Sequence, residues 1–396
     1  MKVLQLCNKP PFPAVDGGCI AIKNISTGLL AANVDLKIIS VSTSKHPFDR
    51  KDFPNDFLRK TKATGVFVDT RINIIDAFSA LVTSDSYNVS RYFSTDFDRE
   101  LVKVLKEDSF DIIQLESLFM TPYLGTIRKL SKAKVVLRSH NLEHLIWERL
   151  ANVEKKSAKR IYLKHLSGKL KQYEKRVLNE VDGIAAISFD DQKRYRSLEC
   201  SIPLITIPFG IDMEKYQIQK TNIKSPVSFC HIGSMNWAPN IEGVNWFLDD
   251  ILPEIKNEEF KVHLAGRDMP SYLMNSKDSK VEIHGVVDHA NDFINQHAVM
   301  IVPLLSGSGM RIKIIEAMAL GKAVITTSVG IEGINAVHGE SIIIANSPSE
   351  FASAIDDLMS DPIKTQKIGA KARLIVEGKY DNRGIINALT NFYQTL

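Results

Sequence analysis

Short apolar runs alternate along this chain with segments in which apolar positions recur every three or four residues, the rhythm of strands and helices in turn. In the first half Val3–Cys7, Leu36–Val41, Ile112–Leu115, Val135–Arg138 and Gly183–Ile187 read as strands, and Ile20–Ala32, Asp96–Lys106 and Tyr123–Leu130 carry helical spacing. In the second half the strands are Ser228–Ile232, Lys261–Ala265, Val281–Ile283, Val299–Leu305, Ala323–Thr327 and Ser341–Ile344. Helices are expected over Ile241–Leu248, Asp288–Gln296, Met310–Leu320, Ser349–Met359 and Ile363–Glu377. Apolar strands without clean polar alternation are buried on both faces, so each half is expected to be a parallel sheet covered by helices.

The residues Val299–Gly333 carry the most chemistry. A buried strand opens through Ser306-Gly307-Ser308-Gly309 into a helix holding Glu316, and a second strand and a glycine turn follow. Such a loop sets free backbone N–H groups beside the positive end of a helix, which attracts phosphate. Arg311 and Lys313 fall in the first turn, where the dipole disfavours cations. A bound anion would resolve that conflict; the plainer reading is a solvated turn with a Lys313–Glu316 surface pair.

A chain of 396 residues exceeds one ordinary core, and two α/β domains are expected. The seam is expected at Ile207-Pro208-Phe209-Gly210-Ile211-Asp212 and the polar stretch Gln217–Ser225. That gives an N-terminal domain over 1–206, a C-terminal domain over 207–378 and a final helix over 379–396, with Ile385, Leu389 and Phe392 able to pack on either. Hydrophobic content of 44% and charged content of 24% are globular, and a net charge of +4 argues against wholesale nucleic-acid binding. The four cysteines lack metal-finger or CxxC spacing and read as packed, reduced thiols. With no apolar run of membrane-spanning length and no signal-like start, a cytoplasmic protein is expected.

One helix is expected across Asn152–Leu178, with Leu163, Leu166, Leu170, Tyr173 and Val177 forming an apolar stripe. Lys155, Lys156, Lys159, Arg160, Lys164, Lys169, Lys171, Lys175 and Arg176 populate much of the rest. This face is either simply solvated or drawn to anionic lipid headgroups.

Ligands of open parallel sheets bind at the carboxyl ends of strands, and two such domains facing each other would form a cleft. In the first half three strand ends are polar: Asp16-Gly17-Gly18, Glu116-Ser117, and Ser139-His140-Asn141-Leu142-Glu143-His144. The first is too long and irregular for a dinucleotide fingerprint. His140 and His144 stand at i, i+4, but Asn141 and Leu142 separate His140 from Glu143, so hydrogen bonding suits His140 better than a metal. In the second half Gly233, Gly266-Arg267-Asp268, Gly285-Val286-Val287-Asp288 and the Gly307 loop each follow a strand. Four such loops on one edge suggest a nucleotide lying across it.

These motifs resemble the retaining GT-B glycosyltransferases of family 4 (glycosyl transferases group 1), over nearly the whole chain. The segment Pro208–Asp212 is similar to the family's interdomain signature, and LAGRD at 264–268, HGVVD at 284–288 and EAMALGKAVITT at 316–327 follow in the family's order. The resemblance implies two Rossmann-like, doubly wound domains facing a cleft. It assigns Glu316 to the ribose hydroxyls, the backbone of Gly309, Met310 and Arg311 to the diphosphate, and Gly17 and Gly18 to its other side. His140 is matched to the donor sugar, and Gly233, Gly266, Arg267 and Val286 to the nucleotide. Glu116, Asn141 and Glu143 would meet the acceptor. Two departures stand out: Ser308 where the family has a glutamate, and Ser234, Met235 and Asn240 where a basic pair is usual. Arg311 and Lys313 are the nearest cations to meet leaving-group charge.

The implied activity is metal-independent transfer of a hexose-type sugar from a nucleotide-sugar donor to a glycan or lipid-linked acceptor, with retention, in cell-surface polysaccharide biosynthesis. No cofactor, metal or nucleic-acid partner is expected; peripheral contact with an anionic membrane is one of the two readings of the basic helix. The alternatives are a nucleotide-sugar epimerase, or a binding or scaffold protein of the same fold.

Overall fold

The computed structural model describes residues 1–71, 87–154, 156–218, 227–307 and 310–396. Ser308, Gly309, Lys155 and most of the polar stretch 217–225 lie outside the described residues. Two compact units result: Met1–Gly210 with Ile385–Leu396, and Ile211–Gly384.

The first unit holds a seven-stranded sheet in the order β3-β2-β1-β4-β5-β6-β7, built from β1 (Lys2–Cys7), β2 (Asp35–Ser42), β3 (Thr64–Phe67), β4 (Ile112–Glu116), β5 (Lys134–Ser139), β6 (Gly183–Ala186) and β7 (Leu204–Thr206). Every pairing is parallel. The two edge strands, β3 and β7, were not among those expected. Both are short and only partly buried, so neither carries the long, mostly apolar buried run that marks the inner strands.

Helices cover both faces. On one, Leu4, Leu6, Ile113, Leu115, Val135 and Leu137 pack with Leu170, Tyr173 and Val177. On the other, Val3, Cys7, Ile112 and Val136 meet Ile22, Ile25 and Leu29, together with Ile385, Ile386, Leu389 and Phe392 of the final helix Asn382–Gln394. All four cysteines are buried and unbridged.

The second unit repeats the winding with six strands in the order β10-β9-β8-β11-β12-β13: β8 (Phe229–Ile232), β9 (Val262–Ala265), β10 (Val281–Gly285), β11 (Val299–Val302), β12 (Ala323–Thr326) and β13 (Ile343–Ile344). Strand order reverses between β1 and β4 in one sheet and between β8 and β11 in the other, where ligands of doubly wound folds bind.

Three expected elements differ from the structure. The first helix begins at Gly17, not Ile20, because Asp16 caps it by accepting the Cys19 N–H at 2.9 Å. The helix expected across Asn152–Leu178 is two helices, Glu143–Val153 and Ser157–Leu178, with Glu154 in an extended conformation between them. The helix bearing Glu316 runs Ile312–Ala319, so Arg311 is its N-cap residue and stands outside the first turn. No helix among the described residues is long and apolar enough to cross a membrane.

Candidate active site

In the first unit the strand periodicity of two gathers polar side chains on one sheet face. Gln5 pairs in register with Gln114, Cys7 with Glu116, and Glu116 with Arg138. The Glu116 carboxylate is completely buried and fully engaged. Its Oε1 accepts from Gln5 Nε2 at 2.6 Å and from the Gln114 amide, and its Oε2 lies 3.0 Å from Arg138 Nη1 and 2.7 Å from His140 Nε2. Ser26 donates to Gln5 at 2.7 Å, and Tyr393 of the final helix donates to Gln114, tying the carboxyl terminus into the network. Burial alone would raise the Glu116 pKa; the Arg138 charge and the hydrogen bonds from His140 and Gln5 overcome it and hold it at about 2.

Four donors leave this carboxylate no lone pair for a ligand, which corrects the acceptor-binding role expected of Glu116. It positions His140 instead. The ionised carboxylate at 2.7 Å favours hydrogen on Nε2, although Arg138 Nη1 also lies 2.9 Å from that nitrogen, and burial lowers the His140 pKa and favours the neutral ring.

His144 does not join His140. Its ring pairs with the buried Glu174, whose carboxylate also accepts the Glu143 N–H at 2.8 Å and the His144 N–H at 3.3 Å. Glu174 therefore plugs the amino end of the helix Glu143–Val153. Burial, then repulsion from Glu174, pushes the Glu143 carboxyl up to about 8, so near neutral pH it is a hydrogen-bond donor. Asn141 lies beside it, partly buried.

At the end of β1, Gly17 is exposed and Gly18 is overlaid by Lys9, whose Nζ lies 2.9 Å from where a Cβ would sit. Lys9 and His46 both contact the Asp16 carboxylate, at 3.1 and 2.8 Å. Gly18 thus has a reason within the fold itself: it makes room for a lysine.

In the second unit the four glycine-bearing loops stand in the order of the strands that carry them. The Gly266 N–H donates to Gly285 O at 2.7 Å, Gly233 N–H to Ala265 O at 3.1 Å, and Met235 N–H to Arg267 O at 2.9 Å. Gly266 has φ +147°, and a Cβ there would lie 1.7 Å from Gly233 O, so two strand ends approach only because no side chain intervenes. Arg267 and Val286 are exposed on these loops.

Lys313 reaches back across this edge. Its Nζ donates to Asn240 Oδ1 at 2.9 Å and lies 2.6 Å from the Cβ position of Gly233. A cation from the β11 side therefore occupies the end of β8, where the usual basic pair is missing. Burial, then the neighbouring Arg311, lowers the Lys313 pKa to about 7. Arg311 is buried, with its guanidinium 5.9 Å from the Trp237 ring centre and its Nη2 3.0 Å from the Cβ position of Gly307. Two cations brought together and partly desolvated are costly unless an anion joins them.

The expected Lys313–Glu316 surface pair does not form. Glu316 is mostly buried and its Oε1 accepts from Tyr216 Oη at 2.8 Å. Burial raises its pKa, against the pull of Tyr216 and Lys313. Arg373 fastens the assembly, donating to Tyr216 O at 2.8 Å and to Ala319 O at 2.5 Å at the helix's negative end. Neither Tyr216 nor Arg373 was picked out from the sequence, since each lies far along the chain from Glu316 and in no motif. Among the described residues no side chain caps the amino end of the helix Ile312–Ala319, unlike the helices plugged by Asp16 and Glu174. Met310 leads into it, partly buried.

Two family models match this chain: "Glycosyltransferase Family 4" over residues 15–215 and "Glycosyl transferases group 1" over residues 226–361. A protein of Klebsiella pneumoniae described as an uncharacterized 44.6 kDa protein in the cps region is 23% identical over 411 positions, covering 98% of each chain. Among solved structures, the fold is similar to sucrose-phosphate synthase from Thermosynechococcus elongatus, at TM-score 0.72 and 15% identity over 100% of this chain and 99% of that one. It is also similar to Anabaena HepE in complex with UDP, at TM-score 0.68 and 13% identity over the whole of both chains. With one family model spanning half of its length and another most of the remainder, and with two doubly wound parallel sheets, this chain belongs to glycosyltransferase family 4 and is a glycosyltransferase of the GT-B fold.

Proposed function

We propose that the protein transfers a hexose-type sugar from a nucleoside diphosphate donor to a glycan or lipid-linked acceptor, retaining the anomeric configuration. The observation that carries this is the convergence of Lys313 and Arg311 beside the amino end of Ile312–Ala319. A diphosphate would relieve their repulsion and use the free N–H groups. A HepE structure holds UDP and another UDP-glucose, which supports a nucleotide-sugar donor of that kind.

Transfer breaks the bond between the anomeric carbon and the leaving oxygen, and the electron pair departs on the nucleoside diphosphate. Lys313, Arg311 and the helix N–H groups would stabilise that charge, which lets the step proceed without a metal. Glu316, aligned by Tyr216, would take the ribose hydroxyls, and Gly233, Gly266, Arg267 and Val286 would border the base. In the N-terminal unit we assign His140 to the sugar, and Asn141 and Glu143 to the acceptor, Glu143 as a hydrogen-bond donor. The acceptor hydroxyl would attack from the face the diphosphate leaves and lose its proton to the departing phosphate oxygen; no protein nucleophile is required. Screening nucleotide sugars by thermal shift and then reading the product's anomeric signal by NMR tests this. An inverted product, or no donor that binds, would overturn it.

We also propose a cytoplasmic setting against an anionic membrane, in cell-surface polysaccharide synthesis, the latter supported by the cps-region relative. On the helix Ser157–Leu178, exposed Ile161 and Tyr162 are flanked by exposed Lys159, Arg160 and Lys164, so apolar and basic groups share one surface. Binding to vesicles containing anionic lipid should weaken with salt, and with reversal of Lys155, Lys156 and Lys159, by about 1 kcal/mol per charge. Binding indifferent to both would remove the membrane from this reading.

A further inference from the structure

A second cluster of chemistry lies on the edge of the C-terminal sheet. Among the described residues, strand β10 is terminal in that sheet and pairs only with β9. Glu282 and His284 stand two residues apart on β10 and so share a face, and Glu282 pairs in register with His263 on β9. Three metal-binding side chains therefore point to one spot, and their donor atoms all lie within 4.8 Å of one another. We propose that His263, Glu282 and His284 bind a divalent transition ion of the zinc class, which clips the edge strand to its neighbour.

The distances favour an ion over a set of hydrogen bonds. His263 Nδ1 and His284 Nε2 are 3.0 Å apart. The carboxylate of Glu282 straddles them, with Oε2 3.5 Å from His263 Nδ1 and Oε1 3.5 Å from His284 Nε2. One ring proton could bridge the two nitrogens. It would leave the carboxylate equally far from both, beyond the usual N–H···O range of about 2.7–3.2 Å. In a tetrahedral zinc site with bonds near 2.0–2.1 Å, neighbouring ligand atoms are separated by about 3.3 Å. The observed spacings bracket that value.

The rings are also held in place. His297 packs at a tilt against His263 with centres 4.3 Å apart, and Phe293 meets His284 edge-on at 5.3 Å. Such packing preorganises a first coordination shell. Glu282 is more than half exposed and His284 partly so, which leaves an entry path and open positions for water. Two imidazoles and one carboxylate suit zinc and its neighbours and discriminate against magnesium and calcium, which prefer all-oxygen shells.

The ion's role would be structural. Strand β10 ends at Gly285, whose carbonyl receives the Gly266 N–H, so the clip would stiffen the strand pair behind two of the loops described above. It takes no part in the transfer step, and the proposal stands or falls separately from the assigned reaction.

The test uses full-length, tag-free protein stripped with a chelator and titrated with Zn²⁺ by calorimetry. A parallel Co²⁺ titration reads the visible absorption of a low-coordinate site. The wild type should take up one equivalent and unfold at a higher temperature with zinc. His263→Ala/His284→Ala should bind at least about 100-fold more weakly and lose the zinc-dependent thermal shift. Its melting temperature without metal should match the wild type's, which excludes misfolding. Asp16, Cys19 and His46 form another compact donor group, so His46→Ala is the control and should retain uptake. Absence of saturable uptake in the wild type would overturn the proposal. So would uptake that survives His263→Ala/His284→Ala, or that disappears in His46→Ala.

Discussion

Replacing Glu316 with alanine is expected to reduce kcat/KM for the nucleotide sugar by about 10²–10⁴-fold, from the loss of two charge-assisted hydrogen bonds at about 1.5–3 kcal/mol each. Glu316 is a mostly buried carboxylate whose described protein partner is the Tyr216 hydroxyl, at 2.8 Å on Oε1. A buried carboxylate with lone pairs to spare suits two vicinal hydroxyls. Glu316→Gln keeps an acceptor for Tyr216 but loses the charge, and should fall between the wild type and alanine. Tyr216→Phe removes the aligning bond and leaves the carboxylate, so it should cost about tenfold, most of it in KM. Steady-state kinetics on purified variants, with thermal unfolding as a check on folding, decides the matter. Unchanged turnover in Glu316→Ala would end the donor-site assignment.

The second large effect concerns pH. Burial and the nearby Arg311 hold the free Lys313 ammonium at a pKa of about 7, against 10.5 for an ordinary lysine. A diphosphate binds the charged form. Above about pH 7 each binding event must therefore also take up a proton, so affinity for UDP should fall by up to about tenfold per pH unit. The sign for folding is opposite. Between about pH 7 and 10.5 the unfolded lysine binds more protons than the folded one, so this group makes the ligand-free protein more stable as pH rises through that window. Lys313→Arg keeps the charge at every pH and should flatten the affinity profile, whereas Lys313→Met should bind weakly throughout. Calorimetry with UDP from pH 6 to 9 reads all three. A flat wild-type profile would show that Lys313 does not meet the diphosphate.

The two units carry opposite electrostatic arrangements, and this guides where each variant should act. In the N-terminal unit the carboxylates of Asp16 and Glu174 occupy helix ends, and Glu116 absorbs four donors. These carboxylates are already met by protein donors, so changes there should disturb positioning first. In the C-terminal unit two cations converge near a helix end that no side chain among the described residues caps.

The strand and helix pattern was legible in the sequence because both faces of each sheet are covered. An inner strand such as β11 is then apolar without interruption, and glycine must follow wherever strand ends crowd together, as Gly266 against Gly233 does. Glu316, Arg311 and Lys313 could be singled out as candidates for a similar reason: they lie together on one strand, one loop and one helix. Tertiary structure decided the partners. Register brought Gln5, Gln114, Glu116 and Arg138 onto one face and turned Glu116 from a ligand-binding candidate into the residue that orients His140. Packing carried Lys313 to Gly233 and Asn240, and Tyr216 to Glu316, across 73 and 100 residues of chain. A sequence displays the spacing that secondary structure obeys, but a buried charge is matched by whatever the fold sets beside it, at separations no local pattern records.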